Sequence, residues 1–295
     1  MDDVVSKAQS GLLSGDEIAQ YRRDGYVVAR GLLGPRMIEA CRKALSDLAA
    51  GRVPTRQTGL MFEKGYRAED IPPDERERYV RKYMDYVEDS AVLKAAAMHR
   101  RLHAILDQLL GQGRVLFQEM ALVKPPRIGA EKPWHQDASY FRVTDPSLIA
   151  GVWMALDPAL RNNGCMEVIP GSHLRGPVAH VHENDFNRCR IVDRLVDPSR
   201  AVQIEMQPGD ALIFQSLLQH FTAPNNSDLT RRAIQFHYHQ LGAVWGSVAD
   251  HQRLYHDERG AYAGCTMPHE PTPPGFKHFY RDGLIRPVVP MDEVG

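Results

Sequence analysis

The sequence predicts a mainly β fold, an antiparallel sandwich or barrel with helices packed outside it. Apolar residues recur at helical spacing in the first 110 positions, whereas short runs of strand-forming residues follow from position 114 to about 240. Turn clusters such as Asn162-Asn163-Gly164 and Pro208-Gly209-Asp210 separate these runs. Helices first and many short strands afterwards are typical of a β core that carries its helices on the outside.

Helices are expected in the first 113 residues, in a part that supports and covers the core. Ser14 and Glu17 have the spacing of a reciprocal capping box, so a helix begins there, runs to about Arg23 and stops at Gly25. The segment 52–88 is polar and weakly periodic, and we expect a lid or irregular cover there. The other elements expected in this part are a strand at 26–28 and helices at 35–50 and 90–110.

Strands dominate residues 114–240, and residues 241–295 form a C-terminal extension. No boundary is visible within 114–240, so residues 1–295 are expected to form a single domain. The strands are expected at 114–123, 149–156, 165–169, 201–206, 210–214 and 231–239.

Composition argues against several classes of protein. Lys and Arg number 36 against 37 Asp and Glu, without the basic excess of a nucleic-acid-binding protein. No apolar run reaches the roughly 18 residues that span a bilayer, and the acidic N-terminus does not resemble a secretory signal. The cysteines lie far apart, so we expect reduced thiols and a cytoplasmic location. They are Cys41, Cys165, Cys189 and Cys265.

His135 and Asp137 are the first candidates for metal ligands. Residues i and i+2 of a strand project from one face, so both side chains can reach one point. His220, which ends an apolar run that starts at Leu212, is the candidate for a third ligand. Two histidines and one carboxylate on one face of a metal are typical of non-heme iron(II) oxygenases. In a chain with 13 histidines such a triplet also arises by chance, so the pattern alone does not decide.

His237 and His239 share another strand face, but no carboxylate is adjacent in the sequence. A second metal site is therefore not favoured.

The segment 133–141 (PWHQDASYF) resembles the phytanoyl-CoA dioxygenase family of iron(II)- and 2-oxoglutarate-dependent oxygenases. The resemblance extends in order over 114–240 and includes an N-terminal block at 24–28. The further blocks lie at 151–157, 163–165, 169–173 and 208–210.

This resemblance implies a double-stranded β-helix, a jelly-roll or cupin-like barrel, over residues 114–240. It implies that His135, Asp137 and His220 bind Fe(2+), and that Arg231 and Thr222 bind the far carboxylate of 2-oxoglutarate. O2 is the second cosubstrate. The resemblance also places four further residues near 2-oxoglutarate, namely Gln118, Met120, Trp153 and Lys82.

The residues themselves support these roles unequally. A guanidinium matches a carboxylate with a planar fork, which suits Arg231, although Arg232 could turn inward instead. Ile234, Phe236 and Tyr238 alternate in phase with Arg232, so the Arg231 face is the more polar one. For the others a structural role remains open: Trp153 and Met120 as core residues, Thr222 as a turn hydroxyl.

The implied reaction is the hydroxylation of an unactivated C–H bond of a small molecule, with 2-oxoglutarate converted to succinate and CO2. Related halogenases have a small residue in place of the carboxylate, so Asp137 favours hydroxylation, or a desaturation or cyclisation that uses the same oxidant. Two alternatives remain: a cupin-like metalloenzyme with zinc or manganese and no 2-oxoglutarate, and a non-catalytic metal- or ligand-binding module.

The sequence does not identify the substrate or the oligomeric state. We expect substrate walls at 52–88, 140–142, 180–200 and 240–262. Basic residues in these segments would favour an anionic substrate or lie in solvent. They are Arg56, Lys64, Arg67, Arg142, Arg188 and Arg190.

Overall fold

Two antiparallel sheets with helices outside them make up the fold. The structure is a computed structural model and describes residues 12–182 and 189–265. The α-helices are α1 (Gly15–Asp24), α2 (Pro35–Ala49), α3 (Ala91–Ala97), α4 (Arg100–Leu110) and α5 (Val248–Leu254). The strands are β1 (Tyr26–Ala29), β2 (Gly59–Phe62), β3 (Val80–Met84), β4 (Arg114–Lys124), β5 (Lys132–His135), β6 (Ile149–Ala155), β7 (Met166–Val168), β8 (His180–His182), β9 (Cys189–Ile191), β10 (Val202–Ile204), β11 (Ala211–Gln215), β12 (His220–Thr222) and β13 (Arg231–Gln240).

Within the described residues, seven strands form the major sheet in the order β1-β11-β6-β13-β4-β3-β2. A minor sheet of four strands has the order β10-β7-β12-β5, and β8 pairs with β9. All these pairings are antiparallel, and apart from β2–β3, β3–β4 and β8–β9 they join strands that are not consecutive in the chain. The predicted fold class, mainly β with helices outside and a double-stranded β-helix core, is confirmed.

The two faces of the major sheet pack against different parts of the protein. On the outer face, residues such as Ile234 and Phe236 of β13 join one hydrophobic cluster with Leu45 of α2 and Leu102 of α4. On the inner face, other residues pack in a second cluster with the minor sheet. Since side chains alternate along a strand, the even positions of β13 hold the helices while the odd ones face the interior. This alternation explains why the face of β13 that carries Arg231 is more polar than the face that carries Arg232, as predicted.

The prediction of an irregular cover at 52–88 is wrong where β2 and β3 form. β2 and β3 extend the major sheet beyond β4, with Lys82 opposite Leu122. Val80, Tyr83 and Tyr86 are 0% exposed and belong to the main core. The sequence hides this because the pairing partner of β3 lies about 40 positions away and the residues between β2 and β3 are rich in charge.

The helix predicted at 90–110 is divided in two. Ser90 caps α3 by accepting a hydrogen bond from the backbone N–H of Leu93, and α4 begins after an extended His99. The capping box of α1 is confirmed, with Ser14 and Glu17 bonded reciprocally. Gly25 ends α1 at a φ of 85°, where a Cβ would lie 2.5 Å from the ring of His173. Only glycine fits at that position.

The expectation of four reduced cysteines is also wrong. Cys189 and Cys265 form a disulfide, with their Cα atoms 5.7 Å apart, while Cys41 and Cys165 are buried free thiols. The sequence separation of the pair is 76 residues. Because no local pattern links them, only the fold brings the two together. Among the described residues, no helix combines the length and the apolar character needed to cross a bilayer.

Candidate metal centre

The three predicted ligands converge. One ligand atom from each of His135, Asp137 and His220 lies within 4.8 Å of the other two, and all three residues are buried. His135 ends β5 and His220 begins β12, and these two residues are directly paired across the antiparallel ladder. Asp137 starts a short 3₁₀ turn just after β5. Strand pairing therefore brings together residues that are 85 positions apart, and the 3₁₀ turn adds the carboxylate.

Both histidines present the same ring nitrogen to the centre. The Nδ1 of His135 lies 2.8 Å from the carbonyl oxygen of Pro133, and the Nδ1 of His220 lies 2.9 Å from that of Leu218. A carbonyl oxygen only accepts, so each Nδ1 carries the proton and donates it. Each Nε2 is then left with its lone pair directed at the centre, which is the tautomer a metal requires.

The two oxygens of Asp137 have different surroundings. Oδ1 lies 3.3 Å from Nε2 of His135 and 3.5 Å from Nε2 of His220. Oδ2 faces the other way, 3.1 Å from the amide nitrogen of Gln235 and 2.8 Å from Nε2 of His237. His237 has no carboxylate neighbour along the chain. In space its neighbour is the carboxylate of the candidate metal site.

Burial and neighbouring charges favour ligand-ready protonation states. Burial, followed by the nearby His220 and Lys132, lowers the pKa of His135 to about 3. For Asp137 burial acts in the opposite direction and raises the pKa, but the neighbouring His220 and His237 hold it well below its ordinary value. The carboxylate is thus ionised and the His135 imidazole neutral near pH 7.

A cavity of about 150 Å³ opens beside this centre, between the two sheets. All six residues predicted to contact the cosubstrate line it, together with the three candidate ligands. The six are Lys82, Gln118, Met120, Trp153, Thr222 and Arg231. Four further residues line the cavity and carry no signal in the sequence, namely Arg81, Lys124, Lys132 and Gln235. They lie on four different strands, β3, β4, β5 and β13, so only the folded sheets bring them together.

Arg231 has the surroundings of a residue that awaits an anion. Its side chain is 2% exposed and stacks over the ring of Trp153 at 5.1 Å. One guanidinium nitrogen donates to the carbonyl oxygen of Leu122 at 3.3 Å, but Nε has no hydrogen-bond partner among the described residues. Trp153 Nε1 and Gln118 Oε1 are likewise buried without a partner there. Buried polar atoms are normally satisfied, so the donors Arg231 Nε and Trp153 Nε1 fit a bound carboxylate, whereas Gln118 Oε1 needs a donor.

Further cations surround the cavity. Burial lowers the pKa of Lys82 to about 8 and that of Lys132 to about 7, and Lys132 donates to the hydroxyl of Tyr140 at 2.7 Å. Of the predicted substrate walls, the described residues that line the cavity are Arg81 and Lys82 from 52–88 and Tyr140 and Phe141 from 140–142.

The basic residues proposed for those walls lie elsewhere. Arg56, Lys64 and Arg67 are exposed on the surface, and neither Arg142 nor Arg190 lines the cavity. Arg188 lies outside the described residues.

A double-stranded β-helix with two histidines and one carboxylate at the mouth of a cation-lined cavity defines a class, the non-heme iron(II)- and 2-oxoglutarate-dependent oxygenases. The model of the phytanoyl-CoA dioxygenase (PhyH) family matches residues 21–233, which is most of this chain, and the protein belongs to that family. Among its relatives is a "Probable phytanoyl-CoA dioxygenase" of Caenorhabditis elegans, 25% identical over 246 residues. That alignment covers 80% of this chain and 78% of the worm protein.

Solved structures show the same fold. The carbocyclase SnoK from nogalamycin biosynthesis is 20% identical, with a TM-score of 0.63 over 88% of this chain and 94% of SnoK. EvdO2 from Micromonospora carbonacea var. aurantiaca, solved in complex with 2-oxoglutarate, is 23% identical. Its TM-score is 0.62, and the match covers 82% of this chain and 97% of EvdO2. As a member of the phytanoyl-CoA dioxygenase family, the protein is an iron(II)- and 2-oxoglutarate-dependent dioxygenase.

Proposed function

We propose that His135, Asp137 and His220 bind the iron, and that Arg231 with Thr222 binds the far carboxylate of 2-oxoglutarate. One observation supports this most directly: three converging ligand atoms share a cavity with a buried arginine whose Nε has no described partner. The rival enzyme class, a zinc or manganese cupin without 2-oxoglutarate, would have no use for such an arginine. An intact ligand set likewise weighs against a non-catalytic module.

Positioning is the main task of the side chains. Bound iron(II), with 2-oxoglutarate and O2, supplies the oxidising chemistry that hydroxylates an unactivated C–H bond and leaves succinate and CO2. The carbonyls of Pro133 and Leu218 keep the two imidazoles in the ligand tautomer. Trp153 supports the guanidinium of Arg231 from one face, so the fork is oriented before the carboxylate arrives.

The other cavity residues hold the cosubstrate and limit access to water. Gln118 and Lys82 lie on neighbouring strands of the major sheet and extend into the cavity, where both can reach bound carboxylate or carbonyl oxygens. Met120 packs beside them as an apolar wall. No protein side chain is required as a general base in this scheme.

The substrate is proposed only as a small molecule. The worm relative is named for phytanoyl-CoA and SnoK for carbocycle formation, so relatives and neighbours differ in what they act on. Hydroxylation is our proposal because Asp137 occupies the position that halogenases leave open. We keep the single-domain organisation over residues 1–295 and the cytoplasmic location as predictions. The disulfide is unusual for a reducing compartment and makes the location worth measuring.

Succinate formation from 2-oxoglutarate separates the proposal from its rivals. We expect the purified protein to produce succinate only with added iron(II), and His135→Ala to lose this activity. The exposed His256 provides a control, since His256→Ala should retain full activity. Metal-dependent chemistry that is indifferent to 2-oxoglutarate would support the cupin alternative. A protein that binds neither iron nor 2-oxoglutarate would support the binding module.

A further inference from the structure

His237 lies behind the candidate metal site, on the strand that also carries Arg231. It is 1% exposed, and its Nε2 is 2.8 Å from Oδ2 of Asp137. The amide nitrogen of Gln235 approaches the same oxygen at 3.1 Å. The two nitrogens lie 3.1 Å from each other because they converge on one acceptor. The oxygen of Asp137 that faces away from the two histidine ligands is therefore held from two sides.

The surroundings of His237 determine the direction of its hydrogen bond. Its ring packs against Phe117 and Phe141, with centroid separations of 6.0 and 5.0 Å. Its Nδ1 is buried and has no hydrogen-bond partner among the described residues. A proton on Nδ1 would leave a buried N–H without an acceptor and would turn the lone pair of Nε2 towards a carboxylate oxygen. A proton on Nε2 leaves only a buried lone pair on Nδ1, which costs less free energy, so the proton belongs on Nε2. His237 then donates to the ionised carboxylate in a charge-assisted bond.

This arrangement matters because a carboxylate can bind a metal through one oxygen or through both. Binding through both would turn Oδ2 towards the ion and occupy one more coordination position. A facial set of three protein atoms leaves three positions open, and 2-oxoglutarate with O2 requires all three. The two hydrogen bonds to Oδ2 would hold that oxygen away from a bound ion and fix the carboxylate plane.

We propose that His237, with Gln235, is a positioning residue that restricts Asp137 to coordination through Oδ1 alone. The proposal rests on the proposed metal site. His239 is a matched control: it follows on the same strand face, is 1% exposed and packs against Phe117 at 5.4 Å. The Nδ1 of His239 bonds the carbonyl of Gln240, and its side chain does not contact Asp137.

The test compares three substitutions at His237 with one at His239, using Mn(II) as a redox-inert probe. His237→Phe keeps a flat ring between the two phenylalanines, and His237→Leu keeps the apolar volume. Both should weaken Mn(II) binding about 10- to 100-fold, the usual effect of removing a hydrogen bond that orients a metal ligand. His237→Gln places an amide N–H where Nε2 was and should restore affinity, whereas His239→Phe should bind Mn(II) like the wild type.

The spectrum of the Co(II)-substituted protein reports coordination directly. We expect His237→Phe and His237→Leu to change the visible absorption of bound Co(II), and His237→Gln to return it to the wild-type form. Wild-type affinity and spectrum in both apolar variants would overturn the proposal while leaving the metal site intact. Failure of the wild-type protein itself to bind Mn(II) would instead refute the proposed metal site.

A measurement on the wild-type protein is independent of how the variants fold. In the Zn(II)-loaded protein with ¹⁵N-labelled histidine, NMR should show a proton on Nε2 of His237, a residue identified by its contacts with the protons of Phe117 and Phe141. Protonation on Nδ1 alone would contradict the proposed donor.

Discussion

Adjacent arginines show how finely the role of a residue depends on the strand face it occupies. Arg232 points to the outer side, where it forms ion pairs with Asp157 at 2.7 Å and Glu77 at 3.1 Å. Arg231 points into the cavity, and neither of these carboxylates bonds it. A buried charge without a partner is costly. A carboxylate of 2-oxoglutarate would supply this partner when the cosubstrate binds.

Arg231→Ala should therefore weaken 2-oxoglutarate binding more than it affects turnover at saturation. Hydrogen bonds to charged groups contribute about 1.5–3 kcal/mol, so the KM for 2-oxoglutarate should rise roughly 10- to 100-fold. Arg231→Lys keeps the charge but lacks the planar fork, so its KM for 2-oxoglutarate should lie between those of the wild type and Arg231→Ala. Steady-state kinetics with varied 2-oxoglutarate measures this, and an unchanged KM in Arg231→Ala would mean that the clamp is misassigned.

The sequence predicts the residues of the site unequally. His135 and Asp137 follow from i, i+2 spacing and His220 from the apolar run before it, and the resemblance to a family supplies Arg231 and Thr222. His237 could not be predicted, because its partner Asp137 is 100 positions away, in the 3₁₀ turn that follows a strand of the other sheet.

The β2–β3 hairpin illustrates an element that closes the edge of the site. Glu63, which follows β2, is 4% exposed and accepts a hydrogen bond from the backbone N–H of Ala130 at 3.1 Å. Arg81 of β3 forms an ion pair with Glu63 at 3.1 Å and donates to the carbonyl of Glu131 at 2.9 Å. These contacts tie the hairpin to the loop that leads into β5 and the metal ligands.

Glu63→Ala should loosen this edge. The change leaves the N–H of Ala130 and part of the Arg81 guanidinium unpaired, so the free energy of unfolding should fall by about 1–3 kcal/mol. Asp228→Ala removes an exposed carboxylate that pairs with Arg127 and should leave stability unchanged. Urea unfolding of the three proteins provides the comparison. Equal midpoints for Glu63→Ala and the wild type would show that the hairpin is held by its strand pairing alone.

Elements with local signals are predicted well, and elements with distant partners are not. The capping box at Ser14 and the glycine stop at Gly25 depend on neighbouring residues, and both are confirmed. β3 depends on pairing with the distant β4 and β2 on pairing with β3, and the sequence predicts neither strand. The break between α3 and α4 at His99 has no glycine or proline to mark it.

At the scale of the whole molecule, the disulfide joins the region around the metal site to the end of the described chain. Cys265 is paired with Cys189, and its sulfur also lies 2.8 Å from the hydroxyl of Ser139, two residues after Asp137. The backbone N–H of Cys265 donates to the carbonyl of Ser139 at 2.9 Å. The segment after α5 is thus fixed against the turn that carries the carboxylate ligand.

Cys265→Ser should destabilise the oxidised protein by about 2–4 kcal/mol, the usual contribution of a disulfide that closes a long loop. The unfolding free energies of the variant and the wild type are compared with and without dithiothreitol. The difference should be present without reductant and nearly vanish with it. A protein whose stability is the same under both conditions, in both forms, would contradict a disulfide in solution.

The fold class could be predicted because the order of helices and strands along the chain is a global pattern. Which strands become neighbours could not, since β11 lies between β1 and β6 through contacts that span most of the chain. The family resemblance filled this gap for the central β-helix, but not for β2 and β3, which precede the region of strong resemblance at 114–240.

Anomalous diffraction at the iron edge, from crystals grown anaerobically with iron(II) and 2-oxoglutarate, tests the central assignment most directly. We predict one iron at roughly 2.0–2.2 Å, the usual range for first-row metals with these donors, from Nε2 of His135, Nε2 of His220 and Oδ1 of Asp137. A carboxylate of 2-oxoglutarate should lie against Arg231. An iron bound elsewhere, or bound without any one of these three atoms, would contradict the account.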